Sequence, residues 1–153
     1  MKTIHENSRS RIARVGWGIL LGVSALLILA GIFWYMDLPA MTLDNISERT
    51  SLEPDGFMVG EPSAFAIITL VTRNSSAYTV ALGLFALLVA WHGYRHRSRW
   101  AWTSMWVLVV AFTAVAVNFT LAAGRIYAPG FGLFAFAVIA LVGLLLARKG
   151  LAG

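Results

Sequence analysis

The chain contains no cysteine. That absence removes disulfide frameworks, thiolate nucleophiles, cysteine-ligated zinc or iron–sulfur sites and c-type haem attachment. It also separates the chain from the quinone-linked thiol oxidoreductases, which are likewise small helical membrane bundles. Charge is scarce too, at 12% of residues, against about 25% in an ordinary globular domain. Only seven residues are acidic, and the apolar stretches hold no Asp, Glu, Lys or His at depth. Proton-coupled pumps and exporters generally carry a titratable group within the membrane, and general acid–base catalysis needs one beside its substrate. Neither a catalytic constellation nor a metal site nor a cofactor is therefore expected, and the chain reads as non-enzymatic.

What is present is apolar. Hydrophobic residues make up 59% of the 153-residue chain, and the mean hydropathy is +0.76. Four stretches approach or exceed the roughly 20 helical residues needed to cross a hydrocarbon core of about 30 Å: Val15 to Met36, Ala64 to Trp91, Trp100 to Ala123, and Ile126 to Ala147. Backbone groups in lipid must be satisfied within their own segment, and the alternation of barrel strands is missing, so each is predicted to be a helix. The first stretch follows a basic leader and could be a secretory signal. It is longer than a usual signal core and no small-residue cleavage site follows Trp34-Tyr35-Met36, which favours a retained helix.

The net charge of +5 is a topology signal rather than a nucleic-acid footprint. Lys and Arg collect on the cytoplasmic side of short loops. They do so here in the leader (Lys2, Arg9, Arg11, Arg14), after the second stretch (Arg95, Arg97, Arg99) and in the tail (Arg148, Lys149). The segment from Asp37 to Pro62 instead carries six acids and one arginine. These charges predict an antiparallel four-helix transmembrane bundle with both termini in the cytoplasm. Trp17, Trp91, Tyr94, Trp100 and Trp102 are expected at the inner interface, and Trp34, Tyr35 and Tyr127 at the outer one.

The second stretch is too long for one span, reaching about 42 Å at 1.5 Å per residue. Counting back about 20 residues from its basic end lands on Arg73 to Ser75. Asn74, Ser75 and Ser76 are suited to capping a helix start. The expected elements are thus helices at about 15–36, 74–93, 100–123 and 127–147. An acidic outer loop at 37–62 and a short interfacial or re-entrant helix at 63–72 complete the single transmembrane domain.

Few polar residues are left to carry a function. Arg125 lies seven residues beyond Asn118, and Ala111, Ala114 and Ala122 share that face, so Asn118 and Arg125 are expected to face the bundle interior near the outer leaflet. With Arg73, these residues form a possible basic outer vestibule for an anionic or amphipathic ligand. The plainer alternative is that Asp37, Glu61 or another loop acid pairs with the arginines. His92 and His96 are spaced as helical metal ligands can be, but only His5 and Glu6 could assist them, so they read as headgroup-facing, like Arg95, Arg97 and Arg99. Ser24, Thr103, Ser104, Thr113 and Thr120 are hydroxyls of the kind that bond back to helix carbonyls. Gly18 and Gly22 form a GxxxG suited to close helix contact, including self-association.

The segment from Arg73 to Trp102 has an arginine opening a helix, a small-residue midsection with Gly83, a basic turn, and then Arg99-Trp100-Ala101-Trp102. In that respect it resembles small bacterial four-helix membrane proteins of the DoxX-like kind. The family's usual glycines after the arginine are replaced here by Asn74 and Ser75. The resemblance implies the fold and a bacterial cytoplasmic membrane, and supplies no activity. The expected role is an accessory subunit of a membrane complex or a binder of lipid or another apolar ligand. The bilayer and other membrane subunits are the expected partners, and nucleic acid is not. An oligomeric channel lined by Asn118, Thr113 and Thr120 is the alternative. An enzyme like the small membrane glutathione transferases comes third, because their charged, Asn-containing helix motif is missing.

Overall fold

The computed structural model describes residues 2–36, 60–123 and 128–151, with side chains for 10–36, 60–118, 120–121 and 132–151. Four helices occupy them: α1 (Lys2–Met36), α2 (Pro62–His96), α3 (Arg99–Ala123) and α4 (Ala128–Arg148). Among the described residues there is no strand. Three helices are long and apolar enough to cross a membrane, over Ser10–Met36, Pro62–His96 and Arg99–Asn118, and the apolar segment Gly132–Arg148 of α4 is shorter. Most of the acidic 37–62 segment, together with Arg125 and Tyr127, lies outside the described residues.

Large apolar side chains lie on the surface as well as in the core, where alanines join Trp17, Leu20, Met105, Leu108 and Leu144. Leu29, Phe33, Leu70, Leu88, Val110 and Leu121 are exposed, whereas Ala13, Ala86, Ala90, Ala101, Ala116 and Ala147 are buried. Lipid tails are as apolar as leucine, so burial of large side chains gives helices little reason to associate there. Small residues let backbones approach and gain dispersion contacts instead.

The chain divides into two compact units, one of residues 1–25 and 84–153, the other of residues 26–83. In the first, Ala13, Trp17, Leu20 and Ser24 mark the buried stripe of α1, at the 3–4-residue spacing of one helix face. Gly16 lies on this stripe, and a Cβ there would collide with the backbone of Gly143 and Ala147 on α4. Helices α3 and α4 are joined by the Trp102 Nε1–H, which donates to the Leu144 carbonyl at 2.8 Å. The stacked rings of Phe112 and Phe136, 5.6 Å apart, add a second contact. In the second unit, a Cβ on Gly31 would meet Val80 Cγ2 at 2.7 Å and the Ser76 carbonyl oxygen at 3.1 Å. Gly83 lies against Ile28, so the two helix segments run antiparallel.

Several expectations are corrected. No break separates 63–72 from 74–93, because α2 is one helix of 35 residues. The hydroxyls expected to cap a new helix bond within this one: Thr72 to Ile68 O, Ser75 to Val71 O, Ser76 to Thr72 O and Thr79 to Ser75 O, all at 2.8–3.0 Å. Each hydroxyl is satisfied without opening the helix. Its start is at Pro62, where the missing N–H leaves nothing unpaired, and Glu61 O accepts the first bond from Phe65 N at 3.0 Å. Helix α1 begins well before Val15. Trp17 does not face outward as a belt residue would, being 1% exposed with its ring lying on Gly93. Trp91, Tyr94, Trp100, Trp34 and Tyr35 do lie on the surface.

Candidate functional site

Arg73 is an exposed residue on an uninterrupted stretch of α2. Its guanidinium carbon stands 5.1 Å from the centroid of the Tyr35 ring on α1, within reach of a cation–π attraction. The neighbouring hydroxyls of Thr72, Ser75 and Ser76 point back along their own helix. Among the described residues, only Ser24 and Ser76 are buried polar residues, and Ser24 also bonds to its own helix, at Leu20 O, 2.8 Å away. Two polar atoms, Trp17 Nε1 and Thr69 Oγ1, are buried with no hydrogen-bond partner among the described residues.

The other vestibule residues fare differently. Asn118 belongs to the first unit and is exposed, not interior. The buried stripe of α3 is Ala101, Met105, Leu108, Phe112 and Ala116, which leaves Ala114 and Asn118 on an outward face. Arg125 lies outside the described residues. Thr113 is exposed, and Thr120 donates to Ala116 O at 2.9 Å. The alanine spacing around Asn118 is helical, as expected, but spacing alone does not say which face has a neighbour.

The basic turn between α2 and α3 has defined geometry. Arg97 adopts φ 48° and donates its N–H to Gly93 O at 2.8 Å, closing the end of α2 in the left-handed conformation that glycine usually supplies. Ser98 follows as N-cap, its hydroxyl 3.5 Å from Ala101 N and its carbonyl accepting from Trp102 N at 3.1 Å. Arg95, Arg97 and Arg99 are all exposed. The rings of His92 and His96 are 4.6 Å apart, and the edge of one ring meets the face of the other between His92 and Trp100 at 5.7 Å. Among the described residues, no three His, Asp or Glu side chains converge as metal ligands would.

A groove that the sequence reading missed lies at the basic end of the first unit. It has a volume of about 690 Å³ and is lined by Arg11, Arg14, Val15, Gly18 and Leu21 of α1 with Trp91 and Tyr94 of α2. The rings of Trp91 and Tyr94 stack, with centroids 6.2 Å apart. A Cβ on Gly18 or Gly22 would meet nothing within 4 Å. The GxxxG is thus open in this chain, and the tight glycine contact of α1 in the first unit belongs to Gly16. A signal for the groove was present in the spacing of Arg11, Arg14, Gly18 and Leu21, which places them on one helix face.

No known protein family, curated protein or solved structure matches this chain. The functional reading therefore rests on its own residues.

Proposed function

We propose that the chain is a non-enzymatic multi-pass protein of the bacterial cytoplasmic membrane. It serves as an accessory subunit of a membrane complex or as a holder of lipid or another apolar ligand. Both termini lie in the cytoplasm, and α4, at 21 residues, is the fourth span, since a helix of that length is about 31 Å long. The observation that supports this reading most is that many large apolar side chains face outward while the buried hydroxyls of Ser24 and Ser76 are taken up by their own helices.

Helix lengths fit the same frame. From Arg73 to Arg95 is about 33 Å of helix, and from Arg14 to Tyr35 about 31 Å, both close to the roughly 30 Å hydrocarbon thickness. Arg73 and Tyr35, 5.1 Å apart, then share the outer boundary, and the start of α2 continues past it in the same unbroken helix.

The absence of cysteine makes single-cysteine labelling clean. Ser47→Cys should react with a membrane-impermeant maleimide on intact cells, and Ser98→Cys only after permeabilisation. The reverse pattern would overturn the orientation. Native mass spectrometry of the protein extracted gently from its own membrane tests the role. A retained lipid or a foreign subunit supports the proposal, whereas a homo-oligomer that conducts solute in liposomes would replace it with the channel.

A further inference from the structure

We propose that the groove between the basic ends of α1 and α2 is a binding site for one anionic phospholipid, with Arg11 and Arg14 holding the phosphate and Gly18 leaving room for an acyl chain. The inference rests on the membrane-spanning reading above and adds to it a site and a ligand class.

The groove is divided chemically along its length. Arg11 and Arg14 are both exposed at one end. Three residues apart, they are neighbours on the helix surface and can converge on a single group. Guanidinium forks match phosphate oxygens in charge and in bidentate geometry. Below them, Val15, Gly18 and Leu21 offer only apolar surface. From Arg14 to Leu21 the helix descends about 10 Å, so this floor lies where an acyl chain would run. Trp91 and Tyr94 form the opposite wall, with the amphipathic rings that favour the headgroup level.

Charge complementarity selects an anion from outside the unit. Residues 1–25 and 84–153 contain ten Lys and Arg but a single acid, Glu6, and no acid lines the groove. The same charges disfavour a second copy of the chain. Two copies in one membrane share an orientation, so a two-fold contact through this face would set Arg11 and Arg14 against the same arginines of the partner. A lipid brings the phosphate and the apolar chain together, and the open space over Gly18 fits the latter.

The test uses the full-length chain in detergent, with native mass spectrometry after exposure to an equimolar mixture of phosphatidylglycerol and phosphatidylcholine. The native chain should retain one phosphatidylglycerol in preference. Arg11→Gln with Arg14→Gln should lower that retention tenfold or more, and Gly18→Leu should lower retention of both lipids. Arg148→Gln with Lys149→Gln removes the same charge from the same end outside the groove, and should leave retention within twofold. Circular dichroism checks that each variant keeps its helices.

The proposal is overturned if the native chain shows no preference between the lipids, a measurement that needs no variant. Equal losses in the two charge variants would also overturn it, since the attraction would then be diffuse. So would a lipid-free dimer that Gly18→Leu dissociates, because a second copy would cover the face. Alkaline carbonate extraction separates this failure from that of the parent reading. A chain that stays in the pellet without selecting the anionic lipid refutes the groove alone, and a chain released into the supernatant refutes membrane insertion itself.

Discussion

In the unit of residues 1–25 and 84–153, α1 meets its neighbours through Gly16 and the ring of Trp17. In residues 26–83 the same helix meets α2 through Gly31, against Val80 and the Ser76 carbonyl. The first contact surface is almost wholly apolar. The second adjoins a run of hydroxyls, Thr72, Ser75, Ser76 and Thr79, each bonded to its own helix. Both nevertheless rest on a glycine that brings two backbones together. Helix contact in an apolar solvent depends on close approach, and polar side chains are compatible with it when their own helix satisfies them.

The largest effect should come from breaking the continuity of α2. In Ser75→Pro the ring would meet the Val71 carbonyl and remove a backbone hydrogen bond, destabilising by about 3 kcal/mol or more. A proline at the first turn of a helix would be tolerated. Denaturant titration in mixed micelles therefore distinguishes an uninterrupted helix from one starting at Asn74, and a stability equal to that of the native chain would contradict the continuous α2.

Next comes the glycine contact of the first unit. Gly16→Leu places a side chain where Gly143 and Ala147 backbone atoms already lie, and should destabilise by at least the upper part of the about 1–3 kcal/mol range of overpacking. Gly18→Leu, two residues away with open space around it, should change stability by less than about 0.5 kcal/mol. Equal effects would mean that the two faces of α1 are not distinct.

These two faces show what the sequence could and could not disclose. The four helices of the described residues follow from composition and length, because a chain this apolar has few alternatives in lipid. The pairing of faces does not. Gly16 and Gly18 are the same residue type, and the GxxxG spacing pointed to Gly18 and Gly22, whereas the partner backbone lies at Gly16. Asn118 was assigned inward from its alanine neighbours in the same way, and the packed stripe of α3 passes through Leu108 and Phe112 instead. Trp17 looked like a belt residue because tryptophan favours interfaces; Gly93 makes the space that buries it. At Asn74, Ser75 and Ser76, capping and back-bonding use the same side-chain oxygens, so residue type left the outcome open. Most of the acid-rich segment and Arg125 lie outside the described residues, and the pairing of Arg125 with that segment is an expectation from charge alone.

A smaller effect is expected at Ser76, which is buried yet bonds only to Thr72 O. Ser76→Ala removes the hydroxyl and leaves that carbonyl its backbone partner, so the change should stay within about 0.6 kcal/mol, near the mean for polar contacts inside membrane helices. A loss near the about 1 kcal/mol typical of a removed cap would show that the hydroxyl has a second role.

The finest distinction concerns Arg73 and Tyr35. The guanidinium lies 5.1 Å from the ring centroid and is exposed, which places the attraction at about 0.5–1 kcal/mol. Single substitutions confound it, because Tyr35→Leu also changes apolar contact and Arg73→Gln also removes a charge. A double-mutant cycle on Arg73→Gln and Tyr35→Leu isolates the pairwise part, read from unfolding midpoints in micelles. Coupling within that range would establish Tyr35 as a partner of Arg73 and leave less of its charge for a ligand. Coupling near zero would return Arg73 to the vestibule reading, as a cation held at the outer boundary.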